Sequence, residues 1–117
     1  MKLALLLLVF ALPALSGQAK DSTEAFQTGT ASWYTEGTKT ASGERYNPSA
    51  MTAAHRTLPM GTIVEVQNLS TGRCVKVRIS DRGPYCKGRI IDVSKAAAQQ
   101  LKMIQSGTAK VKIALLK

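Results

Sequence analysis

Short runs of alternating apolar and polar residues, separated by turn residues, dominate most of the chain. Residues 63–67 and 73–79 alternate on either side of a polar turn, which predicts a β-hairpin with one buried face and one basic face. Similar runs predict further strands over residues 30–34, 89–93 and 108–115. The pattern therefore predicts a small, mainly β domain.

One short helix and one long loop complete this predicted domain. Ser94 is a good N-cap residue and the run Ala96-Ala97-Ala98 has high helix propensity, so we expect a helix over residues 95–103. Residues 35–59 are rich in Gly, Thr, Ser, Asn and Pro and show no sustained periodicity. A loop of this length inside a small domain usually carries function, and we expect this one to do so.

Residues 1–19 are a different kind of sequence from the rest. Lys2 precedes an apolar run over residues 3–15, and small or polar residues follow it. These are the parts of a secretory signal peptide, and about 13 apolar residues are fewer than the roughly 20 that a membrane-spanning helix needs. We therefore expect a signal peptide over residues 1–19, a flexible lead-in over residues 20–27 and the β domain over residues 28–117.

The sequence before the expected cleavage site also bears on membrane attachment. Leu15-Ser16-Gly17 is similar to the start of a bacterial lipoprotein signal, but Gln18 stands where the lipid-bearing cysteine would be. We therefore expect a protein exported to the periplasm or the extracellular space, without a lipid and without a stable membrane anchor once the signal peptide is removed.

Composition limits the partners and cofactors. The 117 residues carry 16 basic and 7 acidic side chains, for a net charge of +9. In an exported protein such a charge suits an anionic envelope polymer better than nucleic acid, although solubility alone would also account for it. Aromatic residues, at 5%, offer few rings for base stacking. One histidine and two cysteines are too few for a four-ligand zinc site, and no spacing indicates a metal or another cofactor.

Two of the carboxylates lie in Gly-containing loops beside an arginine. Glu44 belongs to Ser42-Gly43-Glu44-Arg45, and Asp81 begins Asp81-Arg82-Gly83-Pro84. Two carboxylates from separate loops could meet over one substrate bond, one as proton donor and the other as base or charge stabiliser. Structural ion pairs or turn caps are the alternative. Asp92, which ends a predicted strand, fits a helix cap better than a catalyst.

The only histidine and both cysteines fall near these loops in the sequence. His55 could orient a carboxylate or bind a ligand, or it could be a plain hydrogen-bonding residue of its loop. Cys74 and Cys86 flank Asp81. Because an exported chain meets an oxidising compartment, we predict a disulfide between these cysteines, with two reduced thiols as the alternative.

Five segments, in order, resemble the rare lipoprotein A (RlpA) family: Gly29–Tyr34, Thr40–Glu44, Ala53–Thr62, Val75–Tyr85 and Arg89–Ala98. The resemblance extends from Gly29 to the last strand. It implies a six-stranded double-psi β-barrel with one short helix, the fold that expansins and barwin-like proteins also have. It further implies a lytic transglycosylase that cuts the β-1,4 bond between N-acetylmuramic acid and N-acetylglucosamine in peptidoglycan and leaves a 1,6-anhydro end.

The resemblance also implies roles for individual residues. Glu44 and Asp81 correspond to residues that are catalytically important in the family, and His55 corresponds to a histidine that lines the same groove. We assign Asp81 as the acid and later the base, with Glu44 assisting. We expect Arg82 to hold its loop or the ligand.

Two aromatic residues in the first motif have open roles. Trp33 or Tyr34 could stack on a sugar ring, and a place in the core is the alternative for Trp33. The substrate implied by the family is the glycan strand of peptidoglycan, preferably stripped of its stem peptides, and we expect a monomer. Two other readings stay open: a non-catalytic, expansin-like module that binds wall polysaccharide, and a secreted barwin-like defence protein.

Overall fold

The computed structural model describes residues 23–35, 37 and 39–116. The strands are β1 (Thr23–Tyr34), β2 (Thr52–Ala54), β3 (Ile63–Asn68), β4 (Cys74–Asp81), β5 (Arg89–Ser94) and β6 (Thr108–Leu116), and helix α1 (Lys95–Gln100) connects β5 to β6. The predicted signal peptide lies outside the described residues. Among those residues, none of the helices is long and apolar enough to cross a membrane.

The strands close into a barrel in the order β1-β5-β2-β4-β3-β6. β1 pairs with β5 in parallel and β2 pairs with β4 in parallel, whereas the other neighbours are antiparallel. This arrangement confirms the mainly β fold with a six-stranded barrel and one short helix.

Aliphatic side chains from the alternating strands fill the barrel. In the predicted hairpin, β3 and β4 turn their valines and Ile79 inwards, and β6 adds Val111 and Ile113. Leu101 and Met103, which follow the helix, belong to the same core cluster. Removing these apolar surfaces from water is the main favourable term for such a small domain.

Two strand boundaries differ from the sequence-based prediction. β1 begins at Thr23, so residues 23–27 are not a flexible lead-in: they pair with β6. Ala25 and Phe26 are exposed there, so this pairing uses backbone hydrogen bonds and leaves no alternating pattern. β2 lies inside the predicted loop 35–59, and its three residues are all buried, which also leaves no alternation.

The helix begins where it was predicted and ends earlier. Ser94 is its N-cap, because the Ser94 hydroxyl accepts a hydrogen bond from the Ala97 N–H at 3.2 Å. The helix ends at Gln100 rather than at residue 103. Lys102 follows with a φ of 60°, a conformation that an α-helix does not continue through.

The predicted disulfide is not present: Cys74 and Cys86 are both exposed free thiols. Cys74 begins β4, and Cys86 lies beyond the other end of that strand. From Cys74 to Asp81 this eight-residue strand extends over about 23 Å, whereas the Cα atoms of a disulfide are about 4.4–6.8 Å apart. The number of residues between the two cysteines did not reveal this distance, because it does not show that β4 is extended between them.

Candidate active site

Asp81 ends β4 at a β-bulge. Ala53 of β2 pairs with Ile79, but Ala54 pairs with Asp81, so Ser80 is an extra residue on the β4 side. Ile79 points into the core, and strict alternation would send Asp81 into the core as well. The bulge breaks that alternation and leaves Asp81 half-buried at the rim of the barrel.

One carboxylate oxygen of Asp81 is held by two backbone amides. Oδ1 accepts hydrogen bonds from the N–H groups of Ala41 and Arg82, both at 2.8 Å. Among the residues that the structure describes, no donor engages the second oxygen, Oδ2. Asp81 is therefore fixed through one oxygen while the other can meet a ligand.

A turn over residues 40–44 brings Glu44 to the same end of β4. The Gly43 N–H donates to the Thr40 carbonyl and the Thr40 N–H donates to the Glu44 carbonyl, both at 2.9 Å. Gly43 has a φ of +95°, which favours glycine at this position. The Ser42 N–H donates to the Ser80 carbonyl at 3.1 Å, which docks the turn onto the bulge.

Glu44 forms an ion pair with Arg78, a residue that the sequence analysis did not single out. Nη2 of Arg78 lies 2.9 Å from Oε1 and 3.0 Å from Oε2 of Glu44, and both side chains are about 40% exposed. Such an exposed pair adds little to stability, so its effect is to orient the carboxylate. The available signal was the position of Arg78 on the polar face of β4, three residues before Asp81.

A cleft of about 240 Å³ lies beside this ion pair. Its lining includes Thr40, Glu44, Tyr46, Arg78 and Ser80. These residues come from the long loop and from the polar face of β4. The predicted long loop thus contributes side chains to this cleft.

Tyr46 lines the cleft and covers Tyr34. The two rings stack with their centroids 4.3 Å apart, and the Tyr46 hydroxyl donates to the Tyr34 carbonyl at 2.5 Å. The Tyr34 hydroxyl is buried without a partner among the described residues. Burial, and next the nearby Asp81 carboxylate, raise the pKa of Tyr34. Tyr46 therefore covers one face of the Tyr34 ring, and Tyr46 itself lines the cleft.

Trp33 and Asp92 have neighbours that fit structural roles. Trp33 is partly buried and packs against the core cluster, which agrees with its alternative role as a core residue. Asp92 does not cap the helix, because Ser94 does. Instead, the Asp92 carboxylate accepts a hydrogen bond from the Ser32 hydroxyl on the adjacent strand.

His55 is buried, with 3% of its surface exposed, and its ring is fully engaged. Nδ1 accepts hydrogen bonds from the N–H groups of Thr57 and Leu58, both at 3.1 Å, so the ring proton is on Nε2, which donates to Gln27 Oε1 at 2.9 Å. The His55 N–H also donates to the Asp81 carbonyl at 3.1 Å. His55 therefore supports the Asp81 segment from a buried position, through this backbone hydrogen bond.

Arg82 joins the His55 loop to the Asp81 loop. Its Nη1 donates to the His55 carbonyl at 3.1 Å and to the Leu58 carbonyl at 2.6 Å. These contacts agree with a loop-holding role. Of the sequence-predicted residues, the structure thus joins Asp81, His55 and Arg82 directly by hydrogen bonds, while Glu44 reaches the same strand end through its own turn.

We expect His55 to make folding stability depend on pH. Burial, followed by the charges of Arg56 and Arg82, lowers the pKa of His55 below its usual value of about 6.5. The unfolded chain then binds a proton at a higher pH than the folded chain does. The stabilisation is therefore complete above about pH 6.5 and is lost as the pH falls through the lowered folded-state pKa.

Thermal unfolding at pH 7.5 and pH 5 measures this effect. The melting temperature should fall between these values, and it should fall less in His55→Asn, which has no ring to titrate but retains an acceptor for the two backbone amides. Equal falls in both proteins would contradict the assignment, because the chain has no other histidine.

Within the described residues, no three His, Cys, Asp or Glu side chains lie close enough together to hold a metal ion.

Comparisons with known proteins agree on one family. Residues 26–113 match the family described as lytic transglycolase. The endolytic peptidoglycan transglycosylase RlpA of Campylobacter jejuni is 55% identical over 91 residues, which cover 75% of this chain and 33% of that protein. The RlpA protein of Neisseria meningitidis serogroup A is 56% identical over 93 residues, which cover 77% of this chain and 39% of that protein. The chain thus spans between a third and two fifths of the length of these relatives.

Solved structures share the fold. The Streptomyces papain inhibitor aligns with a TM-score of 0.64 and 26% identity over 78% of this chain and 94% of that chain. The apo expansin of Clavibacter michiganensis aligns with a TM-score of 0.62 and 19% identity over 77% of this chain and 50% of that chain. These likenesses confirm the double-psi β-barrel. Together with the matches in sequence, they lead to one conclusion: the chain belongs to the lytic transglycolase family, whose RlpA members its motifs resemble.

Proposed function

We propose that this protein is a peptidoglycan lytic transglycosylase that cleaves the β-1,4 bond between N-acetylmuramic acid and N-acetylglucosamine. The observation that carries the proposal is the state of Asp81: one oxygen is fixed by two amides, and Oδ2 is left for a ligand at the rim of the barrel. Family membership and the names of the relatives support the same reaction.

Asp81 supplies the proton chemistry of this reaction. Its carboxyl, protonated on Oδ2, donates a proton to the glycosidic oxygen while the muramic sugar takes on oxocarbenium character. The C6 hydroxyl of the same sugar attacks the anomeric carbon, the glycosidic bond breaks, and Asp81 takes the proton of that hydroxyl. The product carries a 1,6-anhydro ring, Asp81 recovers its proton, and no water is consumed.

Glu44 supplies charge rather than a proton. Both of its oxygens face Arg78, and a carboxylate paired in this way is an acceptor and a negative charge, not a donor. A fixed negative charge near a developing oxocarbenium ion stabilises the transition state. We therefore propose the same division of roles as the sequence predicted, with Asp81 as acid and base and Glu44 assisting.

The setting of the enzyme is part of the same proposal. We propose a monomer that is exported to the periplasm or the extracellular space, is not lipidated, and acts on glycan stripped of stem peptides. The excess of basic over acidic side chains, 16 against 7 in the whole chain, suits a wall that carries anionic groups.

Mass spectrometry of soluble products tests the proposal. The exported protein is incubated with intact sacculi and with peptide-stripped glycan, and Asp81→Asn protein is the matched control. We expect 1,6-anhydromuramyl ends, in larger yield from the stripped glycan. Reducing ends would mean hydrolysis by water instead. A folded protein that sediments with the wall and releases no product would favour the non-catalytic, expansin-like module.

A further inference from the structure

Tyr85 is the most exposed of the large hydrophobic side chains that the described residues expose. It is 73% exposed, whereas Phe26, Ile63 and Leu69 are between 41% and 48% exposed. Single exposed apolar residues are common on protein surfaces, so exposure alone assigns no role. The position of this ring and the restraints on the segment that carries it are what distinguish it.

One edge of the Tyr85 ring lies next to the space that a side chain at Gly83 would occupy. A Cβ built on Gly83 would lie 3.5 Å from Cε2 and 3.7 Å from Cδ2 of Tyr85. Gly83 also has a φ of +114°, a backbone conformation that residues other than glycine rarely adopt. The ring edge therefore lies over the side of Gly83 that carries no Cβ, and most of the ring faces solvent.

The segment that carries Tyr85 is tied to the site. Arg82, three residues before the ring, donates through its backbone to Asp81 Oδ1 and through its guanidinium to the His55 and Leu58 carbonyls. Pro84 restricts the backbone immediately before Tyr85. A ring on a segment held in this way loses little conformational freedom when it binds a ligand.

Tyr85 lies within reach of a glycan held at Asp81. They are four positions apart in the sequence, and an extended chain covers at most about 14 Å over four residues. The cleft with Glu44 and Arg78 lies along β4 before Asp81, whereas Tyr85 lies in the loop that follows it. A glycan that passes Asp81 from the cleft can therefore meet the ring.

We propose that Tyr85 is a stacking platform for a pyranose ring of the glycan, and so a substrate-binding residue beyond the cleft. This inference rests on the proposed function. A pyranose presents C–H groups on its face, and a rigid aromatic ring offers a large apolar area that remains compatible with water at its hydroxyl end. The platform contributes mainly to binding, because it lies outside the reacting groups.

Binding and cleavage by three Tyr85 variants test the platform. Peptide-stripped glycan oligosaccharides are titrated calorimetrically into Asp81→Asn protein, and kcat and KM are measured in the protein that retains Asp81. Tyr85→Ala and Tyr85→Leu should each raise Kd and KM about tenfold, the size expected for one aromatic contact. In Tyr85→Phe, Kd and KM should stay within about twofold of the parent values, because this variant retains the aromatic ring.

Leu69→Ala is the matched control. Leu69 is also an exposed apolar residue, and it lies at the turn after β3 rather than near Asp81. Its removal should leave both constants unchanged. Melting temperatures of all variants should stay close to that of the parent, because Tyr85 buries little surface.

The outcomes separate the platform from the proposed function. If the parent cleaves glycan and Tyr85→Ala has the same KM, the platform is wrong and the transglycosylase stands. If Tyr85→Leu binds as well as the parent does, apolar contact rather than stacking is responsible, and the platform is wrong as stated. If the parent neither binds nor cleaves, the proposed function fails and the platform fails with it.

Discussion

Asp81→Asn should reduce cleavage of peptide-stripped glycan by about a thousandfold while the barrel stays folded. The substitution removes the carboxyl that donates and takes up the proton, and general acid–base catalysis contributes about 10²–10⁴-fold to a rate. The asparagine oxygen can still accept the hydrogen bonds of Ala41 and Arg82, so the local structure should be retained. The rate of anhydro-product formation, measured by mass spectrometry, gives the result.

Glu65→Gln is the matched control for Asp81→Asn. Glu65 lies on the polar side of β3 opposite Lys76, away from the bulge, so its neutralisation should leave the rate within about twofold of the parent. A folded Asp81→Asn protein with parental activity would remove Asp81 from the mechanism. Similar losses in both variants would mean that net charge, not the position of one carboxyl, limits the rate.

Glu44→Gln should lower the rate by about a hundredfold, within the range reported for removal of one electrostatic contact to a transition state. The amide has the shape of the carboxylate but no negative charge to stabilise the oxocarbenium-like sugar. The loss should appear in kcat rather than in KM, because that charge develops only in the transition state. Steady-state kinetics on the stripped glycan measure both.

Arg78→Gln separates the charge of Glu44 from its orientation. This variant retains the Glu44 carboxylate but removes the guanidinium, whose Nη2 donates to both carboxylate oxygens at 2.9 and 3.0 Å. We therefore expect an intermediate loss of cleavage rate, about tenfold. Thermal unfolding should change little in either variant, since the pair is exposed. A Glu44→Gln protein with unchanged kcat would show that Glu44 takes no part in the reaction.

The sequence predicted the regular half of the barrel well. β3 and β4 alternate between core and solvent, and Ser94 is a helix cap with its usual signature, so local patterns were enough. β2 could not be found in this way, because its residues are buried on every side and its partners are distant in sequence. The start of β1 was missed because its pairing with β6 involves exposed side chains.

In the candidate site, too, local sequence patterns revealed some features and contacts between distant residues determined the others. Glu44 and Asp81 were recognisable from their loop motifs, since the turn chemistry of Gly43 and Gly83 is local. The bulge that turns Asp81 outwards is a property of register between two strands, and the Glu44–Arg78 pair joins residues that are 34 positions apart. Contacts of this kind depend on the closed barrel.

The two amides on Asp81 Oδ1 also make the acid observable. The N–H groups of Ala41 and Arg82 donate to the group that carries the proposed chemistry, so their proton and nitrogen resonances in an NMR spectrum should move together when that carboxyl gains or loses a proton. Ala41 belongs to the turn of Glu44 and Arg82 to the loop of Tyr85. One titration would therefore follow the acid from both of its flanking segments, without a substrate and without a label on the carboxyl itself.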